Sequence, residues 1–368
     1  MVSEMRVRVI AEYVTLIVFA LGVVMLCFIS INADASEETQ APVLLEIEVV
    51  SLNESEVTED VSERAPDEEV EPLPVSSFPE IWGYVISGQE DRYRADMPIS
   101  DIGFFGAEAN IYGELIGVPN PRLLRNRGFT GRLHLVVVCS GQALSHAVLS
   151  PGPVRQKFTA DLLAAAQAFD GLQIDFENVP ARDGDIFRSF LADLRSGLGD
   201  KLFTIAIRAL VRNSDPVYDY NRIKGMMDRM LVMAYDEHWS NSAPGPIASM
   251  AWCRSVASYA LQNIGPEKLI MGLPFYGRTW GDITTNSAYI YSSIERIKAE
   301  QGIVDVQRDN DIPHFSYQTL VTINAYYEDE RSIARRLDMY HSMGVRAVGF
   351  WRVGQESPLV WNQMKLED

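Results

Sequence analysis

Asp175 and Glu177 are the side chains of this chain best spaced to work on a proton together. They lie in the stretch Asp170-Gly171-Leu172-Gln173-Ile174-Asp175-Phe176-Glu177-Asn178. A strand has a side-chain period of two, so Leu172, Ile174 and Phe176 face one way and Gln173, Asp175 and Glu177 the other. The two acids are then roughly 6–7 Å apart at the backbone. An ionised Asp175 and partial burial both raise the pKa of Glu177. That keeps Glu177 protonated near neutral pH, as a general acid requires. Taken alone, the same pattern also fits an edge strand with a solvated polar face. The residues around it decide between the two.

Other chemistries have little support. Five histidines are scattered without metal-ligand spacing, and HExxH, CxxC and P-loop patterns are absent. No metal and no cofactor is therefore expected. Three cysteines are too few for a disulfide scaffold; Cys139 and Cys253 sit in apolar contexts and read as buried thiols. The net charge of −18 is concentrated. Residues 36–79 hold thirteen acids against one base, Arg64. Residues 80–368 hold 34 acids against 29 bases, which is only mildly acidic. A nucleic-acid partner is excluded, since no basic patch offers the phosphate contacts that such binding needs.

Elements that could position the acids follow from residue 80 onward. Short β-branched or aromatic runs alternate with helical patterns. Strands are predicted at 81–86, 102–105, 133–139, 170–178, 202–209, 230–235, 269–275 and 346–351. Phe158, Leu162, Ala165, Ala166 and Phe169 recur at helical spacing, as do Phe187, Phe190, Leu191, Leu194 and Leu198, and then Ile333, Leu337 and Tyr340. Asp183 or Asp185 is a candidate N-cap of the helix after strand four. Eight strands with helices between them predict an α/β fold, a (β/α)8 TIM barrel. A small α+β insertion is expected between strands seven and eight, with strands near 289–292, 304–307, 315–317 and 325–327. The C-terminal strand ends, where such a barrel keeps its site, would gather Glu177, Tyr235, Asp236, Tyr276 and Trp351. Aromatic Tyr84, Trp239 and Trp351 suit the flat faces of sugar rings.

The first 79 residues differ in texture. Tyr13–Ile31 is mostly apolar, follows Arg6 and Arg8, and is long enough to span a bilayer. Ala33-Asp34-Ala35 fits a small-x-small cleavage site. Residues 1–35 are thus a signal peptide or a membrane anchor, and either sends the rest out of the cytoplasm. Residues 36–79, rich in acid and proline, read as a disordered linker, although Val43–Val50 could form a short strand. Asn53-Glu54-Ser55 is a glycosylation sequon. Residues 80–368 form the barrel domain, expected to act as a monomer.

The run 170–177 resembles the Asp-x-x-Asp-x-Asp-x-Glu signature of family 18 glycoside hydrolases, the chitinase-like family. Met233-Ala234-Tyr235-Asp236 and Ala347-Val348-Gly349-Phe350-Trp351 resemble that family's strand-six and strand-eight motifs. The spore-cortex-lytic branch is closer still. That likeness is carried by Ile174 to Pro180, Tyr235 to Trp239 with Pro244-Gly245-Pro246, Gly272 to Gly277 and Tyr327 to Ser332. The resemblance implies a retaining, substrate-assisted mechanism on an N-acetylated glycan, peptidoglycan before chitin. Glu177 would protonate the leaving oxygen. Asp175 would hold the acetamide N–H of the substrate, Tyr235 its oxygen, and Trp351 would floor the pocket. Gln173 stands where the family has Asp. It cannot ionise but could donate a hydrogen bond to Asp175, so activity is expected to survive with a changed pH profile.

Several assignments stay open. Asp236 either binds substrate or supports Tyr235. Tyr276 and Arg278 follow strand seven, where substrate contact and plain solvent exposure both fit. Trp351 could instead be core, Asp170 reads as a strand-end hydrogen-bonding residue, and Trp82 and Trp252 read as packing. The alternative function is a barrel that binds glycan without cleaving it. Glu177 argues for the enzyme, because binding alone needs no proton donor.

Overall fold

Eight parallel strands close on themselves: β1 (Glu80–Ile86), β2 (Asp101–Ala109), β3 (Arg132–Val138), β4 (Gly171–Asp175), β5 (Leu202–Arg208), β6 (Arg229–Met233), β7 (Leu269–Pro274) and β8 (Ala347–Trp351). Each pairs with the next in sequence, and β8 pairs with β1 to complete the ring. The structure, a computed structural model, describes residues 72–282, 287–319 and 321–367. This is the expected (β/α)8 barrel, and all eight strands fall where the sequence places them within a few residues. The apolar run at 13–31, the possible strand at 43–50 and the sequon at 53–55 lie outside the described residues. Among the described residues no helix is long and apolar enough to cross a membrane.

Period-two alternation builds two cores from one ring. Outward residues of the strands meet the surrounding helices α1 (Gln142–Leu149), α2 (Pro153–Ala166), α3 (Gly184–Leu198), α4 (Met250–Asn263) and α5 (Glu330–Ser342). Phe176, just past β4, stacks against Phe158 of α2 at 6.4 Å and against Phe187 and Phe190 of α3 at 6.2 and 5.9 Å. All four rings are fully buried, each contributing about 1.5–3 kcal/mol by transfer from water. Inward residues fill the barrel: Trp82, Tyr84, Val136, Ala206, Leu231, Ile270 and Ala347.

Polar layers lie inside this interior. At the N-terminal floor, Asp101 accepts from His134 Nε2 at 2.8 Å and from Arg132 Nε at 2.7 Å, and Glu80 pairs with Arg229 at 2.6 Å. The His134 ring lies 4.2 Å from that of Trp82. Asp170 ties β3 to β4 by accepting from the Leu133 amide and from Arg125 Nη2, both at 2.8 Å. The strand-end role expected for Asp170 is the one observed.

Three local expectations are corrected. Residues 76–79 belong to the fold and not to a linker: Ser76–Phe78 pairs in parallel with Met364–Leu366, and Phe78 is fully buried. Asp183 holds the N-cap position of α3 but makes no side-chain cap bond; its carboxylate takes His146 Nδ1 at 2.8 Å instead. The insertion starts directly after β7. Its five-stranded antiparallel sheet comprises Ser287–Ile290, Tyr276–Gly281, Thr322–Tyr326, Ile312–Gln318 and Gln307–Asp309, in that spatial order. Tyr291–Glu300 is a helix, so the strand expected at 289–292 covers only its first half, and the one expected at 304–307 begins at Gln307. Ile294, Phe315, Ala325 and Tyr327 give this sheet and helix a small core of their own. A buried pair joins α5 to the insertion's return: Arg336 Nη1 and Nη2 each meet a Glu328 oxygen at 3.0 Å.

Candidate active site

A pocket of about 250 Å³ opens at the C-terminal ends of the strands. Asp175, Glu177, Tyr235, Asp236, Tyr276 and Trp351 all line it, together with Phe105, Met233, Arg278, Ala288 and Gln355. Six of the nine residues expected to form the site therefore meet in one place, drawn from the ends of β4, β6, β7 and β8.

Asp175 is the last residue of β4 and points inward, 8% exposed. Its Oδ1 is buried and has no hydrogen-bond partner. A carboxylate in that position is costly. Burial first, then the negative charge of Glu177, hold its pKa well above the usual carboxylate range. Glu177 lies two residues on, beyond the strand end, and is an exposed residue whose side chain lines the pocket. Its pKa is also raised: burial is the main cause, Asp236 adds to it, and the Arg208 guanidinium opposes it. The two acids thus favour sharing protons over full ionisation, as a general acid beside a coupled neighbour requires.

The backbone carrying Glu177 is clamped from below. The Tyr218 hydroxyl donates to the Phe176 carbonyl at 2.5 Å and accepts from the Val179 amide at 3.1 Å. Arg208 Nη2 donates to the Glu177 carbonyl at 2.7 Å, with its guanidinium over the Tyr218 ring at 4.8 Å. Neither Arg208 nor Tyr218 was expected. Arg208 ends β5, and strand-end position was the only signal that could have singled it out.

Opposite the acids stands a second cluster. Asp236 has a left-handed backbone, φ 58°, which Asp tolerates better than most residues. Its Oδ1 accepts from the Tyr276 hydroxyl at 2.6 Å and from Arg278 Nη2 at 2.9 Å. Tyr276 and Arg278 sit two apart on the first strand of the insertion, so both face Asp236. The Tyr235 ring is edge-on to Tyr276 at 6.3 Å. Burial pushes the Tyr235 hydroxyl well above its ordinary pKa, with Tyr276 and Asp175 adding to the shift, so it is an O–H donor across the working pH range. The half-buried Trp351 ring packs against Phe105 at 5.0 Å and Tyr84 at 5.7 Å. Phe105 and Met233 complete an apolar floor around it.

Three expected site residues lie elsewhere. Tyr84 and Gln173 are buried one layer below the pocket, at 3% and 0% exposure. The Tyr84 hydroxyl donates to Gln173 Oε1 at 2.6 Å, and Gln173 Nε2 donates to Thr204 Oγ1 at 3.1 Å. Gln173 therefore gives its hydrogen bond to Thr204 and not to Asp175. Trp239 is exposed on the rim and does not line the pocket; its carbonyl accepts from Trp280 Nε1 at 3.2 Å. Among the described residues no group of three or more His, Cys, Asp or Glu is arranged to hold a metal ion.

Comparison with known proteins bears on this pocket. The chain matches the family described as glycosyl hydrolases family 18 over residues 141–356. The putative sporulation-specific glycosylase YdhD of Bacillus subtilis is 30% identical over 222 residues, covering 56% of this chain and 53% of that protein. The cortical fragment-lytic enzyme of the same organism is 22% identical over 298 residues, covering 74% of this chain and 69% of that protein. The crystal structure of the Bacillus cereus spore cortex-lytic enzyme SleL superposes with a TM-score of 0.70 at 20% identity, covering 78% of this chain and 74% of that one. The chain spans about half the length of the first of these relatives.

Proposed function

The chain belongs to glycosyl hydrolases family 18, and from that membership and the pocket we propose that it hydrolyses a β-linked glycan containing N-acetylglucosamine, with retention and with the substrate's own acetamide as nucleophile. The observation that carries this reading is the partnerless, buried Asp175 Oδ1 beside Glu177. An acceptor left open in a pocket is complementary to a ligand N–H, and an acetamide provides one.

In this mechanism the Glu177 carboxyl gives its proton to the glycosidic oxygen as the C–O bond breaks. The acetamide carbonyl oxygen forms the new bond to the anomeric carbon from the opposite face. Asp175 holds the acetamide N–H and stabilises the positive charge that spreads over that ring. Tyr235 donates to the acetamide oxygen, and Trp351 supports the sugar face. Water then attacks the anomeric carbon while Glu177, now a carboxylate, takes its proton. The acetamide is released and the configuration is kept.

Peptidoglycan is favoured over chitin as the substrate, because relatives that cover 74% and 78% of this chain carry names of cortex-lytic enzymes, although a probable chitinase of Drosophila melanogaster also matches, at 34% identity over 128 residues. An extracytoplasmic location and a possible tether through residues 13–31 belong to the same proposal and rest on the sequence. Digestion of purified peptidoglycan, followed by mass spectrometry of the new reducing ends, tests the function. Ends in N-acetylglucosamine are expected. Ends in N-acetylmuramic acid contradict the bond specificity, and the absence of new ends from both peptidoglycan and chitin oligomers leaves a glycan-binding barrel instead.

A further inference from the structure

A second cavity, about 380 Å³, adjoins the catalytic pocket and shares the Gln355 wall with it. Arg92 and Arg352 line this cavity, from the loops that follow the neighbouring strands β1 and β8. Among the described residues neither guanidinium has a carboxylate at ion-pair distance. Asp91 also lines the cavity; it and Arg92 are both exposed, whereas Arg352 is partly buried.

The two cations are held there by local structure. Arg352 Nη1 donates to Gln89 Oε1. Gly354, at φ 90°, leaves room for the Arg92 stem: a Cβ there would lie 2.7 Å from Arg92 Cγ. Burial, and then the charge of Arg92, lower the Arg352 pKa from its ordinary value, as expected of a partly buried cation with a like charge nearby. Gln355 Oε1, on the wall between the two cavities, is buried without a hydrogen-bond partner. Two guanidiniums facing one space match a carboxylate, which arginine binds through paired N–H donors. The open Gln355 acceptor matches an N–H or O–H on the same ligand.

We infer that this cavity is a carboxylate subsite, taking the acid group of a sugar next to the one in the catalytic pocket. Arg92 and Arg352 bind the carboxylate, and Gln355 accepts from the glycan between the two cavities. The inference rests on the proposed glycosidase reading for the identity of the sugar, and it narrows the substrate class. A neutral chain of N-acetylglucosamine has no group for this subsite, whereas a muramyl residue brings one on its lactyl ether or on an attached peptide stem.

Calorimetry on the full chain carrying Glu177→Gln tests this without turnover. The probes are a tetrasaccharide alternating N-acetylglucosamine and N-acetylmuramic acid, and the same compound with its carboxyls methyl-esterified. At low salt the acid should bind about tenfold tighter than the ester or more, and added salt should shrink the gap. Arg92→Gln combined with Arg352→Gln should bring the two within about twofold, with the melting temperature checked in parallel. Equal binding of acid and ester by the chain with both arginines intact overturns the subsite, whatever the variants do. A third probe with a peptide stem locates the acid: preference for it over the lactyl acid assigns the recognised carboxylate to the stem, and the reverse assigns it to the ether. Hydrolysis by the unmutated chain is measured separately. Acid preference without hydrolysis overturns the glycosidase reading alone, and hydrolysis with equal binding overturns the subsite alone.

Discussion

Tyr84 donates its hydroxyl hydrogen to Gln173 Oε1 at 2.6 Å, in a fully buried layer directly beneath the catalytic pocket. That bond, with the one from Gln173 to Thr204, commits both ends of the amide and leaves Asp175 without its help. Gln173→Asp would put a shorter, ionisable group into this layer. A negative charge there disfavours ionisation of Asp175, so the alkaline limb of kcat/KM should move upward, by about one pH unit or less. Superimposable pH–rate curves for variant and parent would contradict this account.

Glu177→Gln removes the proton donor while keeping the shape of the side chain. Hydrolysis should fall by about 10²–10⁴-fold, with glycan binding within a few-fold of the parent. Its backbone clamp by Tyr218 and Arg208 uses only main-chain atoms of 176–179, so the fold should be retained. Parallel turnover assays and calorimetry check both halves; a variant that still turns over at the parental rate excludes Glu177 as the acid.

Asp175→Asn should make stability less sensitive to alkali. The folded-state pKa of Asp175 is raised, chiefly by burial and then by Glu177. The folded chain therefore holds a proton that the unfolded chain releases above the usual carboxylate range. The group's contribution is complete below that range and is lost as pH rises through the folded pKa. The variant should match the parent near pH 3–4 and exceed it by about 1–2 kcal/mol near pH 8–9. Urea midpoints at the two pH values decide it, and an equal difference at both would count against the shift.

The barrel floor should behave in the opposite sense. Burial would raise the Asp101 pKa, but hydrogen bonds from His134 and Arg132 outweigh it, and the net shift is downward. Its contribution is present above the usual carboxylate pKa and is lost as pH falls through the lowered value. Asp101→Asn should cost about 2–3 kcal/mol at neutral pH, somewhat below a fully buried pair because Arg132 is partly exposed. The deficit should narrow on acidification. Melting curves at neutral and acid pH test this, and a deficit that widened in acid would refute it.

Much of the fold was legible because strand signals are local. Alternation places Gln173 and Asp175 inward and Leu172, Ile174 and Phe176 outward whatever the rest of the chain does. The count of eight strands with helices between them then dictates a closed barrel with its site at the C-terminal ends. Glu177, Asp236, Tyr276 and Trp351 converge there as expected.

The insertion was harder to read. Its strands are short, its core holds few residues, and helix 291–300 opens on Tyr291 directly after Tyr289 and Ile290, residue types that favour strands.

The sequence by itself determined which face of each strand the side chains take, since parity depends only on the backbone period. Only the tertiary structure decided their depth along the barrel, because depth depends on how neighbouring strands are staggered. Tyr84 and Gln173 share the inward face with Asp175 yet lie a layer below it, bonded to each other and to Thr204. Trp239 has the right chemistry for a sugar but sits on the rim. Arg208 and Tyr218 are further still from local reading, since they reach residues 176–179 from the adjacent strand and the loop after it, and Arg92 meets Arg352 only because the ring closes between β1 and β8.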